Sequence, residues 1–310
     1  MGVVQIILCL SFIPICSFVA HFLKFYVTME LPKGYLIAIG GAEDKGEKEG
    51  QFNLYHESAI LRNVVDIIQQ HNEPCTIGVV TTASSMPEEV SKIYDAAFKK
   101  LGITTVEHFD ILHREEADSK EVLDRLAQCS AIFFSGGDQL KLASRLGGTD
   151  FLNNVKERYF DSPFVVAGTS AGAMALSNIM ISGGSATKAH LKGRVKISIG
   201  FNFLDNVIID THFNARGRFN RLAQVVATQP DMLGIGLEDD TGIIIRQGCE
   251  SQIIGYGKVT ILDGKHITDS NVTVINDGQP ISLKNMIVHL LCKNETFNIK
   301  TRTLSHNNVY

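Results

Sequence analysis

Short apolar runs alternate with segments of helical spacing along the first half of the chain. Five runs have the length and composition of buried strands, at residues 35–39, 75–81, 104–109, 131–134 and 163–167. Between them, apolar side chains recur at helical spacing in the stripe of Ile60, Leu61, Val64 and Ile68 and in the stretches 87–101 and 120–128. This alternation indicates βαβ units, so the pattern predicts an α/β fold with a doubly wound, mostly parallel sheet.

The pattern changes in the last quarter of the chain. Alternating apolar and polar positions there predict short strands at residues 242–246, 252–256 and 258–262. We expect these strands to form antiparallel hairpins at one edge or end of the sheet. No stretch rich in proline or serine separates them from the rest, so the sequence predicts a single domain over residues 29–310.

The N-terminal extension, residues 1–28, has a different character. Residues 3–23 form an uncharged, mostly apolar run that is long enough for a signal peptide core or a membrane anchor. No basic residue precedes the run, Pro14 lies within it, and no clean small-residue cleavage site follows it. We therefore favour a start at Met29 and a cytoplasmic protein, with export or membrane anchoring through residues 3–23 as the alternative.

Composition and charge exclude several classes of protein. The 310 residues are 45% apolar, which is enough for a buried core and too much for a disordered chain. With 29 basic residues against 33 acidic ones, the chain lacks the basic field that would indicate a nucleic-acid partner. The six cysteines form no CxxC pair, so neither a zinc site nor a disulfide framework is predicted.

A glycine-flanked serine follows the fifth apolar run. Residues 168–172 read Gly-Thr-Ser-Ala-Gly between a predicted strand and a predicted helix, which is the context of a G-x-S-x-G nucleophile elbow. The glycines allow a sharp turn that exposes the Ser170 hydroxyl above the sheet. The alternative is a tight turn in which small residues serve packing and Ser170 caps the next helix.

A second glycine loop follows the strand at residues 131–134. In a parallel sheet this loop, Gly136-Gly137-Asp138-Gln139, emerges at the same carboxyl edge as Ser170. The amide of a glycine such as Gly137, together with that of Ala171, would form an oxyanion hole. The alternative is an ordinary turn in which Asp138 caps the following helix.

A histidine and a cluster of arginines follow another apolar strand, at residues 206–209, and are predicted to open a helix. His212 comes just after the strand end, and Arg216, Arg218 and Arg221 fall within six positions of one another. Arginine side chains suit bidentate binding of carboxylates, which favours an acidic substrate. Glu238, Asp239 and Asp240 end a later strand, where one of them could orient His212. The order serine, histidine, acid disfavours a lipase-like α/β-hydrolase, in which the acid precedes the histidine.

Taken together, these motifs resemble the cyanophycinase family. The segments that carry the resemblance are residues 39–45 (IGGAEDK), 134–139 (FSGGDQ), 168–173 (GTSAGA), 210–218 (DTHFNARGR) with Arg221, and 234–240 (GIGLEDD). Five motifs in this order make the resemblance specific. The resemblance extends from about residue 32 to about residue 275. Members of this family are serine peptidases related to peptidase E, so the resemblance implies a class I glutamine-amidotransferase-like fold.

The resemblance implies a Ser–His–acid mechanism and indicates which residues act as nucleophile, base and acid. Ser170 matches the nucleophile and His212 the general base. The family has Glu as the acid where this chain has Asp239, which is one methylene shorter. Period-two alternation from the apolar Leu237 also favours Asp239, with Glu238 as the alternative if the turn shifts.

The resemblance also implies a substrate, multi-L-arginyl-poly-L-aspartate, which such enzymes cut into β-aspartyl-arginine dipeptides. Gln139, Asp210, Arg216, Arg218 and Arg221 match substrate-pocket positions, and acids such as Glu43, Asp44 or Asp138 could meet a guanidinium of the polymer. No metal or organic cofactor is implied, and related enzymes suggest a homodimer. Thr211 stands where the family more often has Gln, which leaves substrate preference open. The alternatives are a peptidase for short aspartyl or β-aspartyl peptides and a non-catalytic binding protein of the same fold.

Overall fold

The computed structural model describes residues 31–45, 59–71 and 75–305. Within them, the strands are β1 (Tyr35–Ile39), β2 (Thr76–Val80), β3 (Thr105–Phe109), β4 (Ala131–Phe134), β5 (Val165–Thr169), β6 (Ile179–Gly184), β7 (Val195–Ile199), β8 (Val207–Asp210), β9 (Leu233–Leu237), β10 (Thr241–Arg246), β11 (Glu250–Gly255), β12 (Val259–Asp263), β13 (Asp269–Ser270), β14 (Leu283–Lys284), β15 (Ile287–Leu291), β16 (Thr296–Asn298) and β17 (Thr303–Ser305). The helices are α1 (Ala59–His71), α2 (Pro87–Lys100), α3 (Lys120–Ala127), α4 (Gln139–Leu146), α5 (Asp150–Asp161), α6 (Ala171–Ala175) and α7 (Phe219–Thr228).

The central sheet of the described chain has the strand order β17-β16-β11-β10-β1-β5-β4-β2-β3. Five neighbouring strands, β1, β5, β4, β2 and β3, are parallel. Beyond β1, the sheet continues with four antiparallel strands, β10, β11, β16 and β17. The predicted fold class is confirmed: a mostly parallel α/β sheet with antiparallel strands near the C-terminus.

Helices cover both faces of this sheet. Successive residues of each parallel strand point to opposite faces, so each strand packs against both helical layers. Ile37 and Ile39 of β1 pack with the apolar stripe of α1 and with α2. Leu36 and Ala38 pack into the other layer, where α4 and α5 contribute Leu142, Leu146, Phe151 and Val155. Strands buried on both faces read as continuous apolar runs, which is why the sequence revealed them.

A second sheet holds the segment that carries His212. Its four strands run in the order β15-β12-β9-β8, with β8 parallel to β9 and the helix α7 between them in sequence. The predicted strand at residues 258–262 therefore pairs with β9 as β12, and not with the edge of the central sheet. The helix predicted to open at His212 begins only at Phe219, because turns occupy the intervening residues.

The described residues from Pro32 onward form one compact unit. The apolar run at residues 3–23 and the proposed start at Met29 lie outside the described residues. Among the helices of the described chain, none has the length and apolar character needed to cross a membrane.

Candidate active site

Ser170 lies at the turn between β5 and α6, at the carboxyl edge of the central sheet. Its backbone has φ 51° and ψ -113°, a conformation that is strained for a residue with a side chain. The turn needs its glycines: a Cβ on Gly168 would lie 2.6 Å from the Gly172 carbonyl carbon, and one on Gly172 would lie 2.2 Å from the Phe134 carbonyl oxygen. The Ser170 amide donates to the carbonyl of Ile39, the last residue of β1, at 3.0 Å. The half-buried serine therefore lies on a strained, glycine-flanked elbow between a strand and a helix, which is the context its motif predicts.

His212 comes two residues after β8 and reaches across to Ser170. Its Nε2 lies 3.0 Å from the Ser170 hydroxyl oxygen. The histidine backbone has φ 49°, and its amide donates to the Gly40 carbonyl at 2.9 Å. Gly41 lies directly against the imidazole, where a Cβ would come within 2.3 Å of the ring carbon Cε1. The loop after β1 thus fixes the histidine, a contribution that the sequence analysis did not assign.

Asp239 completes a chain of hydrogen bonds. Its Oδ1 lies 2.5 Å from His212 Nδ1, on the side of the ring that faces away from Ser170. Glu238 points elsewhere: its carboxylate accepts hydrogen bonds from the side-chain amide of Asn214 and, at 2.9 Å, from the backbone amide of Lys258. Of Glu238 and Asp239, it is therefore Asp239 that contacts the histidine.

The electrostatic surroundings keep His212 neutral near pH 7. Burial lowers the pKa of this histidine, and the positive charges of Arg216 and Arg218 lower it further. The hydrogen bond and the charge of Asp239 act in the opposite direction, but the pKa remains below its ordinary value. A neutral imidazole next to a hydroxyl can accept its proton, as a general base must.

The arginine cluster separates into buried and exposed members. Asp210 is fully buried and accepts from Arg221 Nε at 2.6 Å, from Arg221 Nη2 and from Arg218 Nη1 at 3.1 Å. Arg218 Nη1 also donates to the Thr211 carbonyl at 2.6 Å, and burial lowers the Arg218 pKa to about 10. Arg216 is exposed and has no ion pair within the described part of the chain. The cluster therefore leaves the Arg216 side chain exposed, while Asp210 and Arg221 pair with each other inside the protein.

The loop after β4 lies beside Ser170. A Cβ on Gly136 would lie 3.2 Å from the serine Cβ, and Gly137, at φ 142°, lies against the Ala83 carbonyl. Gln139 donates its side-chain amide to the Ile181 carbonyl at 2.8 Å. Asp138 caps α4 by accepting from the Leu140 amide at 2.8 Å, which is the role that the alternative interpretation gave it.

Glu43 is not available to a substrate guanidinium. Its side chain is 2% exposed, and its carboxylate accepts hydrogen bonds from the hydroxyls of Thr169 and Tyr94. The expectation for this residue was therefore wrong, because the loop after β1 turns the side chain into the protein. No group of three or more His, Cys, Asp or Glu residues within the described ranges is arranged to hold a metal ion.

Comparison with known proteins identifies the class. The sequence model of peptidase family S51 matches residues 49–253. The chain is 31% identical over 274 residues to a cyanophycinase of Synechococcus elongatus, covering 88% of this chain and 82% of the relative. It is 32% identical over 277 residues to a cyanophycinase of Trichormus variabilis, covering 89% of each.

A solved structure supports the fold. A peptidase from an acI-B1 actinobacterium superposes with a TM-score of 0.63 at 22% identity, covering 87% of this chain and 98% of the other. The family match and the relatives show that the protein is a peptidase, and the solved structure supports its α/β fold. It belongs to peptidase family S51.

Proposed function

We propose that this protein is a serine exopeptidase that hydrolyses cyanophycin, multi-L-arginyl-poly-L-aspartate, to β-aspartyl-arginine dipeptides. The observation that carries the proposal is the continuous hydrogen-bonded chain from the Ser170 hydroxyl through His212 to Asp239, with links of 3.0 and 2.5 Å. Relatives at 31% and 32% identity that bear the name cyanophycinase support the choice of polymer.

The proposed mechanism uses this chain of hydrogen bonds. Ser170 Oγ attacks the aspartyl carbonyl carbon while its proton passes to His212 Nε2, and Asp239 stabilises the resulting imidazolium through Nδ1–H. The backbone amides of Gly137 and Ala171 are proposed to bind the oxyanion. Collapse of the tetrahedral intermediate breaks the C–N bond, and the leaving amine takes the proton from His212. Water, activated by the same histidine, then hydrolyses the acyl-enzyme and restores Ser170.

Substrate recognition is proposed to depend on the exposed end of the arginine cluster. Each unit of the polymer carries an arginine carboxylate, which suits a guanidinium in a fork geometry. Arg216 is free to take that role, with Arg218 held beside it by Asp210 and by the Thr211 carbonyl. Asp210 and Arg221 are proposed to act behind them as the buried anchor. Gln139, whose side-chain amide donates to the Ile181 carbonyl, is proposed to line the substrate pocket.

Product analysis tests the choice of substrate. Incubation of the full chain with purified polymer is expected to release β-aspartyl-arginine dipeptides, detectable by mass spectrometry, with Ser170→Ala as the inactive control. A panel of aspartyl and β-aspartyl dipeptides is assayed in parallel. If the dipeptides are cleaved and the polymer remains intact, the proposal for the substrate is wrong and the related dipeptidase is correct.

The Arg216→Ala variant is expected to lose activity selectively. Removing a charge-assisted bond to a bound carboxylate costs about 1.5–3 kcal/mol, so kcat/KM for a carboxylate-rich peptide should fall by about one to two powers of ten. A neutral ester of the same acyl group should lose much less. Arg246→Ala is the matched control, because it removes the same charge from the strand end that pairs with Tyr35, at the amino end of β1. Equal losses on both substrates would show that Arg216 supports the structure only.

A further inference from the structure

A buried carboxylate that the proposed mechanism does not use lies directly behind the nucleophile. Glu43 belongs to the loop that follows β1, and its Oε2 accepts a 2.6 Å hydrogen bond from the hydroxyl of Thr169. Thr169 immediately precedes Ser170 in the elbow. The other oxygen of Glu43 accepts from the Tyr94 hydroxyl of α2 and lies 3.2 Å from Lys45 Nζ. One side chain thus connects the loop, the elbow and a helix that packs on the sheet.

The loop that Glu43 holds, residues 40–45, also contacts the other parts of the site. The Gly40 carbonyl accepts from the His212 amide at 2.9 Å, and Gly41 lies against the imidazole ring. The Gly41 carbonyl accepts from the Asp240 amide at 2.9 Å, next to the acid that contacts the histidine. A shift of this loop would therefore move the histidine and its acid relative to the serine.

The contacts of Glu43 have the properties of a fixed anchor. Tyr94 is 3% exposed and packs against Phe133, with ring centroids 4.9 Å apart. Burial and the charge of Glu43 raise the pKa of Tyr94 well above its ordinary value, so its hydroxyl remains a donor at physiological pH. Hydrogen bonds to a buried carboxylate are shorter and stronger than hydrogen bonds between two neutral groups. A buried carboxylate that loses its partners destabilises the fold, so these contacts are expected to persist.

We propose that Glu43 is a positioning residue that, through Thr169 and residues 40–45, holds the Ser170 hydroxyl at reacting distance from His212. The inference rests on the proposed serine mechanism, because it assigns Glu43 to the placement of that nucleophile. It does not depend on which peptide the enzyme cleaves. A displacement of about 1 Å in a catalytic group can lower a rate about 10²-fold. Thr169 is adjacent to the nucleophile in sequence and is held by Glu43, so Glu43 can control activity without contacting substrate.

The test measures nucleophile reactivity without any peptide substrate. The full chain reacts with a fluorophosphonate, in which Ser170 Oγ bonds to phosphorus, fluoride leaves, and His212 takes up the hydroxyl proton. The second-order rate of labelling at Ser170 is compared for wild type, Thr169→Val and Glu43→Gln. Thr169→Val removes the donor to Glu43 with little change in volume, so it is the variant best suited to preserve the fold.

A matched control comes from another threonine at a strand end. Thr81 directly follows β2, is fully buried, and its hydroxyl has no hydrogen-bond partner among the residues that the structure describes. Thr81→Val therefore makes the same chemical change without removing an anchor. Labelling should be about 10 to 100 times slower in Thr169→Val and Glu43→Gln. The double variant should be within about twofold of the slower single variant, because the two residues act as one unit.

The outcomes are distinguishable. Rates for Thr169→Val and Glu43→Gln equal to that of Thr81→Val would overturn the inference, even if the variants unfold at lower temperature, since Glu43 would then contribute only stability. Fully additive losses in the double variant would overturn the link through Thr169. A wild-type protein that is not labelled at Ser170 would contradict the serine mechanism itself, and the assignment of Glu43 with it.

Discussion

The Ser170→Ala variant is expected to fold normally and to lose activity by about four to six powers of ten in kcat. The side chain supplies the attacking oxygen, and no other group at this position can replace it. The elbow itself should survive, because its sharp turn depends on the close approach of Gly168 and Gly172 and not on the hydroxyl. Turnover of polymer or peptide and thermal unfolding are measured on the same preparations.

Ser162→Ala provides the comparison for this variant. Ser162 caps the end of α5 and precedes β5, so it lies at the amino end of the strand whose carboxyl end carries Ser170. It should retain full activity, with a small loss of stability because its hydroxyl donates to the Arg158 carbonyl. Near wild-type turnover in Ser170→Ala would eliminate the serine-peptidase mechanism.

The sequence predicted the parts of the fold and site that depend on local patterns. Strands β1 and β4 were located at their observed bounds, because strands buried on both faces are continuous apolar runs. Ser170 was placed correctly at a strand-to-helix turn, since its two glycines have a specific geometric purpose. That the Gly136 loop meets this turn follows from the rule that parallel strands end at the same edge.

Features that depend on long-range contacts could not be predicted in this way. The pairing of Asp210 with Arg221 requires the turn at residues 212–217, where His212 and Gly217 both adopt positive φ. No local pattern shows that Arg221 turns inward while Arg216 remains exposed. The burial of Glu43 likewise depends on Tyr94 and Thr169, which are 51 and 126 residues away in sequence. Charge alone suggested a ligand for Glu43, whereas the fold supplies internal partners.

The contact between Asp239 and His212 depends both on local sequence pattern and on the conformation of the turn after β9. Motif position and strand alternation both favoured Asp239, although β9 ends at Leu237, before the alternation could fix the side chain. What directs Asp239 to the histidine is the turn beyond the strand, where the Thr241 hydroxyl donates to the Asp239 carbonyl at 3.0 Å and Asp240 adopts φ 49°. In the same turn, Glu238 is held by Asn214 and by the Lys258 amide.

The Asp239→Asn variant is therefore expected to lose up to about four powers of ten in kcat. An amide in place of the carboxylate can donate to Nδ1, which favours the tautomer that carries its proton on Nε2 and cannot accept one from Ser170. It also removes the negative charge that stabilises the imidazolium. KM should change little, because the acid lies on the far side of the ring from the nucleophile.

Glu238→Gln is the matched control for this prediction, since it makes the same change from acid to amide at the adjacent residue. In the wild type, the Glu238 carboxylate contacts Asn214 and Lys258 and not the histidine. We therefore expect the variant to have kcat within about threefold of wild type and a modest loss of stability. Both variants are assayed on one substrate, with kcat and KM determined separately. A large loss in Glu238→Gln with a small one in Asp239→Asn would mean that Glu238 leaves the Lys258 amide during turnover and takes the place of Asp239 beside His212. That exchange would require the turn at residues 238–240 to shift by one residue, and the Gly41 carbonyl would then lose its hydrogen bond from the Asp240 amide.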